Sequence, residues 1–359
     1  MAVGAYNTAA LVQDLAAKSF SSTILRKMPN GQAPLFGMTS MLKDETALAI
    51  EHGYYSKTML FPSVVVVGSL AVGVTTIPVV SSANIIVGMV LRSDTTNENM
   101  LVTGVISPTS IAVQRAVGTV TPATIADATN LWMVGNAYEE ASLRPQSLLI
   151  LPQRVVNYTQ IFRNSWAVSE TTRATFLIAG DTAVTESRRD CAAFHAGDIE
   201  KGFFFGQKYM GTRNGQPFHT MDGLISAITQ RAAGNVTTAG ATTNWTQLRA
   251  ALDPCFNTVT DPTGPATRLL FVGGHARNVL HEIFRVNSTY FIQDGSTEWG
   301  LQYDGFKIPR GNFRIIEHPL FNAYGQNSTW ARMAIAVDLP TFNKAYMTGR
   351  NTVSKEWND

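Results

Sequence analysis

The residues of this chain that could do chemistry are few, and their spacing argues against most of it. Phe271-Val272-Gly273-Gly274-His275 sets a glycine pair between an apolar run and a helical pattern, where backbone amides can cradle a phosphate. It has neither the GxGxxG spacing of dinucleotide folds nor the GxxxxGK spacing of P-loops. His281-Glu282 opens a zinc-protease-like string, but Arg285 stands where the second histidine belongs. His275 and His281 are six residues apart and so fall on different faces of a helix. No GxSxG occurs, which leaves serine–histidine–aspartate chemistry without an anchor. The carboxylates Glu139, Glu140, Asp181, Asp190, Asp198 and Glu200 are scattered and read as solvated or salt-bridged. Cys191 and Cys255 form no CxxC, which fits a reducing compartment, and Cys191 within a helical pattern reads as a small hydrophobe. Five Asn-x-Ser/Thr triplets, at Asn157, Asn235, Asn244, Asn287 and Asn327, are what a Thr-rich chain produces by chance. No catalytic, cofactor-binding or metal-binding residue is expected. An α/β enzyme with a β accessory domain and a site near Gly273-Gly274 is the alternative.

The most organised stretch runs from Arg154 to Gly206. Val156, Tyr158, Phe162, Trp166 and Val168 share one face of an extended chain, interrupted by Gln160 and Asn164, and the opposite face is equally mixed. With β-branched and aromatic residues and no Pro or Gly, residues 154–168 are expected to form a long strand that contacts protein on both sides. From Thr182 the period changes, and Ala192, Ala196, Ile199 and Phe203 recur at helical spacing. Asp181 or Thr182 can cap this helix, Glu186 suits its first turn, and Gly206 is its stop. At about 20 residues it spans about 30 Å. Gly197 and Gly202 mark close packing, or else the helix ends early at Gly197.

A strand of this kind feeding a helix of this kind resembles the E-loop and spine helix of tailed-phage major capsid proteins of the Hong Kong 97-type fold. The wording is similar too: NYTQIFRNSWAVSETTRA resembles one branch of that family, and IEKGFFFGQ resembles its helix end. VGMVLRSD with MLVTGVISPTSIAVQRAVGTV resembles that branch's β-insertion in the E-loop. The resemblance implies an α+β fold and a definite layout. Residues 1–45 are an N-terminal arm that lies along a neighbouring subunit. Residues 46–168 are the E-loop with an inserted β-module at about 64–137, and 169–215 the spine helix and P-domain. Residues 216–330 are the A-domain and 331–359 the return to the P-domain. It implies partners as well: copies of itself in hexamers and pentamers; scaffold, portal and decoration proteins; packaged DNA held non-specifically on the inner face. The protein is then expected to be made in the host cytoplasm and to end in the virion. Family chains continue into a further long strand, so the P-domain sheet is expected to be a strand short or completed from elsewhere. No cleavable scaffolding segment is visible at the N-terminus, so little processing is expected there.

The totals and the remaining stretches agree with this layout. At 359 residues the chain can hold two or three compact units, and its 45% hydrophobic content is ordinary. Charged residues are only 15% and the net charge is +2, which excludes a strongly basic nucleic-acid reader and fits a surface covered by partners. Met59 to Leu91 carries no charge, yet Pro62, Gly68, Gly73 and Pro78 break it, so no membrane span is expected. Val64 to Ala137 holds Arg92, Asp94, Glu98, Arg115 and Asp127 as its only charges and has closely spaced turns at Gly68, Gly73, Gly88 and Gly118, the mark of a small β-sandwich or barrel. Ile50 to Tyr55 should pair with the strand near Ile150 to Phe162. Beyond the helix, GTRNGQP reads as a loop, and Asp222 stands near the cap of the next helix. Asn244 caps another, with Pro254 near its end. TRLLFVGG into HARNVLHEIF is strand, glycine pair, helix. FKIPRGNFRIIEHPLF gives two short strands, and ARMAIAVDLPTFNKAYM a last strand or two.

Overall fold

The architecture comes from a computed structural model that describes residues 33–42, 44–57, 61–149, 151–175, 177, 181–240, 243–257, 266–286, 291–292, 297–298, 301–302, 304–323, 325 and 328–353. Residues 1–32 of the expected arm, the terminal KEWND and the triplets at Asn287 and Asn327 lie outside them. The chain divides into two compact units, Gly53–Val155 and the segments on either side of it. It is mixed α+β, and among the described residues no helix is long and apolar enough to cross a membrane.

The first described element, α1 (Pro34–Ser40), starts with proline in its first turn, where the missing N–H costs nothing. Its Leu35 and Met38 are buried in the chain's own interior. β1 (Glu45–Ala47) follows, and then β2 (Glu51–Ser56) leads into the first compact unit.

That unit is built from β3 (Ser63–Val65), β4 (Thr76–Pro78), β5 (Met89–Ser93), β6 (Asn99–Ser107), β7 (Ser110–Gln114) and β8 (Asn130–Asn136), ordered β3-β8-β5-β6-β7-β4. Its two edges meet. The Val67 N–H donates to the Pro78 carbonyl at 2.9 Å and the Val80 N–H to that of Val65 at 3.0 Å, around a bridge between Val66 and Val79. Of the two forms expected, this is the barrel. Alternate residues such as Leu91, Val102, Ile111, Val113 and Leu131 fill the inside, as pleating requires. The expected turn glycines 68, 73, 88 and 118 all have positive φ. At Gly88 the Tyr138 ring also occupies the space a side chain would take. One ion pair enters the barrel: Arg115 donates to both oxygens of Glu98, at 2.7 and 2.6 Å. The chain leaves through β9 (Gln153–Tyr158), which pairs with β2 as expected. The regular strand stops at Tyr158, although strand had been expected to Val168.

After a short α2 (Glu170–Ala174) comes α3 (Ala183–Phe205), capped by the Thr182 hydroxyl and stopped at Gly206. It runs straight through Gly197. Its buried face is Gly197, Ile199, Glu200 and Phe204, rotated from the expected stripe, in which Ala192 is exposed. The reason is local: only the C-terminal half of α3 meets the body of the protein, and Phe204 is the residue driven into it.

β10 (Tyr209–Arg213) and β11 (Gln216–Thr220) form a hairpin where a loop had been expected. Asn214 and Gly215, both at positive φ, make its two-residue turn. α4 (Leu224–Arg231) has Gly223 at its cap with Asp222 just before it, and α5 (Trp245–Leu252) is capped by Asn244 in a full capping box with Gln247. Next come β12 (Thr267–Val272), α6 (Gly274–Val286), β13 (Phe291–Ile292), β14 (Thr297–Glu298), β15 (Leu301–Gln302), β16 (Asp304–Ile308), β17 (Gly311–Glu317), α7 (Pro319–Asn322), β18 (Ala334–Val337) and β19 (Ala345–Met347). A five-stranded sheet runs β13-β16-β17-β12-β18, with β12 and β17 parallel. β12 is buried on both faces: Leu270 and Val272 meet Phe284 and Phe306 on one side, while Leu269 and Phe271 meet Phe204 and Phe321 on the other. Apart from this sheet, β1 and β19 pair in parallel, with Thr46 opposite Tyr346.

Candidate functional site

The stretch NYTQIFRNSW is where the chain leaves its ribbon and meets the long helix, and nearly every side chain in it has a task. Asn157 accepts the Asp222 N–H at 2.7 Å and donates to the Asp222 carbonyl at 3.0 Å, acting like a strand partner where no strand runs. The Asp222 carboxylate in turn takes a bond from Arg231 at 3.1 Å. Lys208 lies 4.5 Å from the Tyr158 ring and donates to the Val156 carbonyl at 3.3 Å. Thr159 donates its N–H to the Ile50 carbonyl at 2.9 Å, and Gln160 accepts the Met221 N–H at 3.0 Å.

Beyond Gln160, alternate residues follow α3 back toward its start. A Cβ at Gly202 would stand 3.0 Å from Phe162, so the glycine lets that ring approach the helix. Asn164 bridges His195 at 2.8 Å and Asp198 at 2.9 Å. Trp166 takes the Arg188 guanidinium 5.4 Å from its ring. The Asn164 bond, outweighing the opposing effect of burial and helped by Lys201 and the nearby His195, holds the Asp198 carboxyl below its ordinary pKa. The strand pattern in the sequence was therefore a true alternation, satisfied by side-chain contacts to a helix instead of a ladder.

The other sequence candidates do not converge. Glu139, Glu140, Asp181 and Asp190 are exposed. Cys191 and Cys255 are free, and burial raises the Cys255 thiol. At the glycine pair, a Cβ on Gly273 would run into the Ala331 backbone, and the Gly274 N–H already donates to Asn322 Oδ1 at 2.7 Å. Asn322 is held by Glu317, which also pairs with Arg277 at 2.8 Å. The amides a phosphate would need are used for packing. Glu200, read with the others as solvated or salt-bridged, is fully buried, is paired with His318 at 2.7 Å and accepts the N–H groups of Leu35 and Phe36. The sequence signal for this was its helical register, one turn before Phe204.

Large apolar side chains meanwhile stand in water: Leu48, Tyr54, Tyr55, Phe61, Leu143, Leu149, Leu151 and Ile161, with Leu143 91% exposed. Several isolated ones would be ordinary, but here they crowd the segments entering and leaving the barrel. Exposed apolar side chains concentrated on a few segments are the usual mark of a surface that other protein covers. The chain belongs to the SU10 major capsid protein family, whose model matches residues 4–357. It is similar to the major capsid protein of Pseudomonas phage PaMx41, with 40% identity over 354 residues, 97% of this chain and 83% of that protein. Its place is therefore the capsid, and it is a component of the virion.

Proposed function

We propose that the chain follows the Hong Kong 97-type plan and self-assembles as hexamers and pentamers into the head shell of a tailed phage around double-stranded DNA. In this reading 1–45 is the N-terminal arm, 46–168 the E-loop with a β-insertion at about 64–137, and 169–215 the spine helix and P-domain. The A-domain spans 216–330, and 331–359 returns to the P-domain. Scaffold, portal and decoration proteins are the further partners. DNA contact is non-specific, in keeping with a net charge of only +2.

The observation that carries the reading is the anchorage of NYTQIFRNSW along α3. It fixes a two-stranded ribbon at its root and leaves apolar side chains on the ribbon and the segments around it uncovered. The pairing of β1 with β19 supports the layout as well, since it supplies a strand beside the last one from within the chain.

Two substitutions test it. Thr159→Pro removes the N–H that reaches Ile50 at the ribbon's root, while Ile199→Asp puts an unpaired charge on the buried face of α3. The first should leave a soluble, folded subunit whose particles are rare in electron micrographs, and the second should give aggregates. Thr159→Pro subunits that unfold as badly as Ile199→Asp ones, or that assemble as well as the parent, would remove the E-loop assignment.

A further inference from the structure

Glu200 lies fully buried on α3, and both of its oxygens are engaged. Oε1 accepts the Leu35 N–H at 2.9 Å and meets His318 Nε2 at 2.7 Å, while Oε2 accepts the Phe36 N–H at 2.6 Å. His318 Nδ1 accepts the Leu320 N–H at 3.2 Å, so the hydrogen of the ring sits on Nε2 and points at the carboxylate. Two of the three donors are thus amides from the first turn of α1, a helix with no side-chain cap of its own. Lys344 grips the other end of α1. Its side chain is 8% exposed, with Nζ 5.0 Å from the Phe36 ring, 5.1 Å from the Tyr346 ring, bonded to Ser40 at 2.9 Å and paired with Asp44 at 3.6 Å. Just beyond, β1 runs beside β19, and Asn343 donates to Glu45 at 2.7 Å. Only residues 48–50 separate β1 from β2, and the last of them, Ile50, receives the Thr159 N–H.

We propose that α1 and β1 form a clasp, with Glu200 and Lys344 as its two catches, and that its docking sets the root of the ribbon at Ile50 and Thr159. An apolar seat alone would let a short helix slide or roll. A carboxylate that takes two consecutive amides fixes it both along and about its axis, and the next elements start from that fixed point. Undocking would leave the carboxylate with a single donor, so the clasp is either closed or open and has no half-docked state. The inference rests on the proposed assembly role of the ribbon only in its second readout.

The test uses the full chain before assembly, as Glu200→Ala and as Lys344→Met. Amide hydrogen exchange should speed up about tenfold or more at Leu35, Phe36 and Thr159 in both variants, and stay at parental rates in β5–β7 and α6. Closed particles should become rarer in both. If exchange quickens at Leu35 and Phe36 while Thr159 keeps its protection, the coupling is wrong. If Lys344→Met leaves the α1 amides at parental rates, Lys344 is no catch and the clasp as proposed fails. Should Glu200→Ala not fold, Lys344→Met decides alone, since methionine keeps most of the lysine stem's volume. Exchange that behaves as expected, with undiminished assembly, upholds the clasp and removes the assembly role of the ribbon.

Discussion

At the scale of single residues, the charges of this protein are few, and the buried ones do structural work. Glu98 is the clearest case. Burial alone would raise its carboxyl, but the Arg115 fork, the N–H groups of Ala116 and Ala123 and the Arg115 charge together hold it below the ordinary carboxylate value. A carboxyl lowered in the fold contributes stability that is full above its unfolded pKa and is lost as pH falls through the folded one. The barrel should therefore weaken on acidification below about pH 4. Arg115→Met removes the fork and leaves a buried carboxylate with no countercharge, held only by the N–H groups of Ala116 and Ala123, at a cost of about 3–5 kcal/mol. It also reverses the sign of the pH effect. With burial, the largest influence on Glu98, then opposed only by the N–H groups of Ala116 and Ala123, its carboxyl rises, so the variant barrel should gain stability between neutral pH and pH 5 while the parent stays level. Denaturant midpoints read by hydrogen exchange in β5–β7 at the two pH values check both expectations. Neither charge could be recognised as paired in the sequence, because the partners stand 17 residues apart on opposite sides of a turn.

At the scale of elements, what was legible follows from how local each signal is. The caps and length of α3 were readable because Thr182 and Gly206 act on their own neighbours. The glycine pair after β12 was visible, but its purpose was not, since Ala331 arrives from far along the chain. Gly273→Ala should cost about 1–3 kcal/mol through forced overlap with that backbone, lowering the melting temperature. Added inorganic phosphate should leave parent and variant equally unmoved in the same scan. A phosphate-dependent rise in the parent alone would revive the nucleotide reading. Residues 159–166 teach the reverse lesson. Their alternation was plain, but periodicity cannot tell a ladder from a row of side chains laid on a helix. The β10–β11 hairpin was announced by Asn214-Gly215 and passed over, and the buried face of α3 was missed because a glutamate sits at its centre.

At the scale of the whole molecule, the barrel has an interior of its own. Its buried cluster draws only on residues between Val64 and Leu131, and the cluster around Phe204 and the one around Phe306 draw on none of them. Unfolding should therefore occur in two steps, and a single free energy of unfolding would not describe it. Replacing residues 63–136 with a short Gly/Ser turn should remove one calorimetric transition and leave the other near its parental temperature, because closing a loop costs little per added residue. Loss of all folded protein would show that the two interiors depend on each other.

The bond pair around Val66 and Val79 has a consequence for life in a crowd. A shell holds its subunits at the concentration of a solid, where any unpaired strand edge is an invitation to polymerise. The barrel closes on itself and so offers no edge, and it can stand among many copies of itself without adhering to them. The β2–β9 ribbon consists of two strands, with no third strand paired to it among the described residues. The barrel thus adds no edge of its own to those that the ribbon and the chain's other open sheets carry.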